Sequence, residues 1–130
     1  MTEVEHINPS GLAAPPGGVY THVVRTGGTV YIAGQVGRDL QGNVAEGDVV
    51  AQYKQVTENL RAAMESVGGT LEQIVKTTTY VVGEENVRAL LEHRRQVRLP
   101  RPATGTLVVI SALATPSLLV EVEAVGYLGG

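Results

Sequence analysis

Residues 48–82 read DVVAQYKQVTENLRAAMESVGGTLEQIVKTTTYVV, and this stretch decides the fold class. Tyr53, Val56, Leu60, Ala63 and Val67 recur at alternating spacings of three and four, which predicts one amphipathic helix over Asp48–Val67. Asp48 offers a side-chain acceptor for the free amides of the first turn, and Gly68 suits the left-handed residue that closes the last. Val75–Val82 is rich in β-branched residues and reads as a strand.

The pattern extends both ways. Downstream, Glu84–Val97 predicts a second helix with Val87, Leu90 and Leu91 on one side, and Pro100 and Pro102 end it. Thr106–Leu113 and Leu118–Leu128 read as two final strands around Pro116. Upstream, Val19–Thr26 and Thr29–Gln35 read as strands joined by Gly27-Gly28, a pair that supplies the positive φ of a tight hairpin. Gly37–Gly47 is a loop with a short strand near Asn43–Glu46, and residues 1–18, ending Ala13-Ala14-Pro15-Pro16-Gly17-Gly18, form an irregular arm.

The order β-β-α-β-α-β-β predicts an α+β fold, a mixed sheet with two helices on one face. No repeat or boundary divides residues 1–130, so one domain is expected. Two helices cover one face of such a sheet. The apolar residues left on the other imply a packed partner subunit.

Composition narrows the function. The 130 residues are 43% hydrophobic with no Cys, which excludes disulfides and thiolate chemistry. No basic leader precedes an apolar run, and no run approaches the ~20 residues that span a bilayer, so a cytoplasmic protein with no membrane partner is expected. A net charge of −3, no Phe or Trp and five Tyr argue against nucleic-acid binding and ribonuclease activity. Phosphate-binding glycine loops and the G-x-S-x-G elbow are absent. His6, His22 and His93 lie far apart in sequence and read as surface or structural residues; no metal or other cofactor is expected.

Three segments together resemble the Rid (RidA/YjgF) family, also labelled endoribonuclease L-PSP. Val30-Tyr31-Ile32-Ala33-Gly34-Gln35 is similar to its strand ending in Ser/Ala-Gly-Gln. Thr57-Glu58-Asn59-Leu60, Ala62-Ala63 and Ile74-Val75-Lys76-Thr77-Thr78-Thr79-Tyr80-Val81 resemble its helix, glycine turn and "VKTTVFV"-like strand. Val120-Glu121-Val122-Glu123-Ala124-Val125 resembles its terminal "IEIEA" strand. The likeness runs from about Gly17 to Val125. It implies a chorismate-mutase-like fold, a homotrimer with ligand clefts between subunits, and hydrolytic deamination of enamines and imines.

Glu121 and Glu123 are two apart on a strand and so share a face, while Val120, Val122 and Ala124 take the other. Two carboxylates side by side raise a pKa, as acid–base chemistry requires; the same pattern also suits a solvated or salt-bridged face. The resemblance implies that Glu123, matching the second Glu of the family strand, holds the attacking water. It implies that Tyr20, after Gly17-Gly18-Val19, lines the cleft, although a half-buried ring with a wet hydroxyl is the plain alternative. Ala33, Gly34 and Gln35 are expected at the substrate, with Ala33 where the family often has a ligand-binding Ser.

One departure is larger. The family's deaminases carry Pro-Ala-Arg-Ser, whose Arg grips the substrate carboxylate, whereas this chain reads Pro102-Ala103-Thr104-Gly105. Losing that charged contact costs about 2–5 kcal/mol of binding. The amides of Gly105 and Thr106 remain to orient a water or a carbonyl oxygen. Arg94, Arg95, Arg98 and Arg101 lie just upstream, either as an alternative anion site or as a solvated helix face. Two functions stay open: a deaminase acting on a substrate other than a simple 2-imino acid, and a non-catalytic trimer that binds a small metabolite in the same cleft.

Overall fold

Asp48 starts the main helix through its side chain: its carboxylate accepts from the Ala51 amide at 3.0 Å. The computed structural model describes residues 3–97 and 101–129. The helix, α1, runs Val49–Glu65 and buries Val49, Val56, Leu60, Ala63 and Met64. Gly68, at φ 76°, turns the chain out of it, with the Gly69 amide reaching back to the Met64 carbonyl at 2.9 Å.

Among the described residues, six strands make one sheet: β1 Val4–Ile7, β2 Val23–Thr26, β3 Thr29–Val36, β4 Ile74–Val82, β5 Thr104–Ile110 and β6 Val120–Tyr127, in the order β1-β2-β3-β6-β4-β5. Among these strands, β4 and β5 are the pair that runs parallel, as expected for strands joined by a crossover helix. That helix, α2, is Glu84–Gln96. Both helices lie on one face, over a core that includes Val23, Ile32, Val81, Val120, Val122 and Ala124.

Several elements differ from their sequence reading. Part of the arm expected to be irregular is β1, paired antiparallel with β2; its four residues carry too little periodicity to show by themselves. The first predicted strand begins only at Val23, so Tyr20 lies in a loop before β2. The hairpin turn is at Gly27-Gly28, but only Gly27 takes a positive φ, 59°. Gly28 serves close approach instead: a Cβ there would collide with the Gly129 carbonyl. The short strand near Asn43–Glu46 reduces to a single bridge between Arg38 and Val44. In α2, Leu90 is fully buried while Leu91 is exposed. Pro100 lies outside the described residues.

The face away from the helices stays open. Register places Val24, Tyr31, Val125, Val108 and Ile110 on it, and Tyr31 is 51% exposed.

Candidate active site

Alternation along β6 puts Val120, Val122 and Ala124 in the core and Glu121 and Glu123 on the open face. What surrounds the two carboxylates is set by the neighbouring strands. On the β4 side, Tyr80 pairs with Glu121 and Thr78 with Glu123. The Tyr80 hydroxyl reaches diagonally and donates to Glu123 Oε1 at 2.9 Å. On the β3 side, the register shifts between Ile32 and Gln35, so Ala33 and Gly34 together oppose the single residue Glu123. This is a bulge, which bends the strand and changes which side its residues face.

The bulge decides three positions. Gly34 leaves room for the Glu121 carboxylate, since a Cβ there would overlap Oε2 and stand 2.8 Å from Cδ. Ala33 lines a shallow depression on the open face with Thr21, Lys76, Thr78 and Glu123. Gln35 is turned inward and is 3% exposed; its amide nitrogen meets His22 Nδ1 at 3.1 Å and the Ala33 carbonyl at 3.0 Å. Strict alternation from Tyr31 and Ala33 would have put Gln35 on the open face. The extra residue of the bulge reverses it.

His22 ties the Tyr20 loop to this edge. Its Nε2 donates to the Ala13 carbonyl at 2.7 Å, which leaves Nδ1 to accept from Gln35. The Ala33 amide donates to the His22 carbonyl at 2.9 Å. The Tyr20 ring meets the imidazole edge-to-face, with centroids 5.7 Å apart; its neighbour Thr21 is the residue of this loop that lines the depression.

Burial raises the Glu121 carboxyl above the usual Glu range, and the charge of Glu123 adds to the shift. The Tyr80 phenol is raised first by its hydrogen bond to Glu123 and then by that carboxylate's charge, so it remains a donor across the neutral range.

Thr104, Gly105 and Thr106 lie elsewhere. They begin the edge strand β5, and Thr106, Thr78 and Glu123 form one row across β5, β4 and β6. Two strand spacings, about 10 Å, thus separate Thr106 from Glu123 at the backbone. The Thr104 hydroxyl donates to the Val75 carbonyl at 2.8 Å. The upstream arginines also have neighbours of their own: Arg94 lies 5.4 Å over the Tyr53 ring, Arg95 pairs with Glu92 at 3.1 Å and Arg101 with Glu72 at 3.8 Å. Arg98 lies outside the described residues. Among the described residues, no three His, Asp or Glu side chains converge as a metal-ligand set, and no helix is long and apolar enough to cross a membrane.

The profile of the Endoribonuclease L-PSP family matches residues 11–128. The chain belongs to the Rid (YjgF, endoribonuclease L-PSP) family. A RutC family protein of Pyrococcus abyssi is 29% identical over 116 residues, 88% of this chain and 91% of that protein. A 2-iminobutanoate/2-iminopropanoate deaminase of Dermatophagoides farinae is 28% identical over 116 residues, 88% of this chain and 89% of that one. Among solved structures, RidA from an Antarctic Psychrobacter superposes with a TM-score of 0.85 at 31% identity, covering 95% of this chain and 98% of its own. The α+β fold, with its mixed sheet and two helices, is the Rid fold.

Sequence reasoning marked both carboxylates of this Rid protein but passed over Tyr80. Its parity with Lys76 and Thr78 was readable in the strand. That β4 lies beside β6 was not.

Proposed function

We propose that this Rid protein is a cytoplasmic, single-domain enamine/imine deaminase that works as a homotrimer, with its site in the clefts between subunits. The observation that carries the reading is Glu123, an exposed carboxylate held by Tyr80 at the edge of a depression on the open sheet face. Family membership supports it. The Glu123 carboxylate takes a proton from a bound water as the water oxygen bonds to the imine carbon. The imine nitrogen takes that proton from Glu123; the carbinolamine hydroxyl then passes its own proton through the same carboxylate to the nitrogen as the C–N bond breaks, leaving a carbonyl and ammonia. Tyr20 and the Gly105 and Thr106 amides orient the substrate, and no cofactor enters. Ammonia release from a panel of N–H imines and enamines tests the reading directly; binding without turnover favours the metabolite-binding alternative.

The open face supports the trimer. An apolar set that includes Val24, Tyr31, Val108 and Val125 demands cover. Cover by two further copies would also bring Thr104–Thr106 of one chain within reach of Glu123 of another. Light scattering should therefore give three times the 13.7 kDa chain mass. A stable monomer at that mass would remove the cleft and overturn the proposal.

The substrate is not a simple 2-imino acid. The Thr104 hydroxyl is already engaged by Val75 and offers a carboxylate no charge. The unmodified protein is expected to be poor on 2-iminopropanoate, and Thr104→Arg should improve it about tenfold, since two charge-assisted bonds exceed one neutral bond by at least 1.4 kcal/mol. Thr104 is exposed at the start of the edge strand, so a longer side chain there meets no enclosing wall. Brisk wild-type turnover of 2-iminopropanoate would show that Thr104 is no handicap. A folded, trimeric but inactive Thr104→Arg protein would favour the binding-module reading.

A further inference from the structure

We propose that Tyr80 is a positioning residue for the deamination: its hydroxyl fixes the Glu123 carboxylate so that Oε2 alone faces the water. The inference rests on the function proposed above and adds a residue to it. Three observations carry it. The Tyr80 hydroxyl donates to Glu123 Oε1 at 2.9 Å. Glu123 is otherwise exposed on a flat strand, where a Glu side chain with three free torsions samples many orientations. Tyr80 itself has few torsions, and as the cross-strand partner of Glu121 on β6 it reaches the diagonal neighbour Glu123 in a defined geometry.

The two carboxyls thereby differ in role. Glu121 lies half-buried over Gly34, and its carboxyl is raised by that burial first and then by the charge of Glu123. Glu123 lines the depression and has Oε1 engaged by Tyr80, which leaves Oε2 for the water. The "VKTTVFV"-like strand that β4 resembles has Phe where this chain has Tyr80, and Phe offers no such donor. In this chain Ala33 and Thr104 lack the polar contacts expected of Ser and Arg, and Tyr80 adds one at the base.

The test uses the full-length protein with three probes: 2-iminopropanoate, 2-iminobutanoate and the uncharged benzophenone imine, each followed by ammonia release. Tyr80→Phe deletes only the hydroxyl. It should lower kcat at least tenfold on the best probe while changing KM less than twofold. In a Glu123→Gln background it should cause no further loss, because it acts through Glu123. A readout independent of turnover is the phenolate absorbance difference between the unmodified protein and Tyr80→Phe, which isolates the Tyr80 ionisation. That ionisation should lie above the ordinary tyrosine range and fall back in Glu123→Gln. Wild-type kcat in Tyr80→Phe, with Glu123→Gln inactive, would overturn the role of Tyr80 and spare the deaminase. An ordinary Tyr80 titration, unmoved by Glu123→Gln, would overturn it too. Full activity in Glu123→Gln, or no turnover of any probe by the unmodified protein, would instead overturn the deaminase reading and this inference with it.

Discussion

Glu123→Ala should lose at least about a hundredfold in ammonia release, the usual contribution of a positioned acid–base group, while Glu121→Ala should lose less. Both residues share the open face of β6, yet their surroundings differ. Glu123 lines the depression and is oriented by Tyr80. Glu121 leans half-buried over Gly34 and does not line the depression, so it is not placed to hold the water. Truncating Glu123 removes an exposed side chain and creates no cavity, so the far-UV spectrum and the oligomer mass should stay as in the unmodified protein. Equal losses in the two variants would mean that the wrong carboxylate has been assigned the water. Undiminished release in both would discard the mechanism.

Gln52→Leu should destabilise the fold by about 3–5 kcal/mol, the cost of leaving several enclosed backbone groups unpaired. Gln52 is a polar residue on α1 with no exposed surface, and its amide clamps the segment before α1 to the segment before β6. Nε2 donates to the Ala45 carbonyl at 3.0 Å and to the Ser117 carbonyl at 2.9 Å, while Oε1 accepts from the Leu119 amide at 2.9 Å. A leucine fills the space and makes none of these bonds. Gly37 packs directly on the Gln52 side chain, with a notional Cβ 2.5 Å from Gln52 Cβ, so the site has little freedom to rearrange. Urea unfolding at one fixed protein concentration measures the effect, with exposed Gln41→Leu as a control expected within about 0.5 kcal/mol of the unmodified chain. A loss below about 1 kcal/mol in Gln52→Leu would show that water or backbone adjustment satisfies the three groups.

The site was partly legible in advance. Period-two alternation along β6 was enough to put Glu121 and Glu123 together and away from the core. Gln35 shows where that logic ends. Alternation counts residues along one strand, and a bulge inserts one that the count does not register. Tyr80 shows a second limit, because the parity of β4 was readable but the identity of its neighbour was not. Thr104–Thr106 are a third case: they stand two strands from Glu123 in one chain, and only an assembly of subunits would bring them to it.

Elements whose causes are local could be read from the residues alone. These are α1 with its Asp48 cap and Gly68 exit, β4 through its β-branched run, the Gly27-Gly28 turn, and the division of β6 into an apolar and an acidic side. Each depends on residues within a few positions of one another, so spacing and backbone preference suffice. The tertiary structure decided the rest: β1 joining the sheet, β6 lying between β3 and β4, the bulge that turns Gln35 to His22 and opens Gly34 to Glu121, and the Tyr80–Glu123 bond. Those features depend on strand order and register. Both are fixed by contacts between residues far apart in the chain, such as Tyr80 and Glu123, and a single added residue reverses which face a side chain takes.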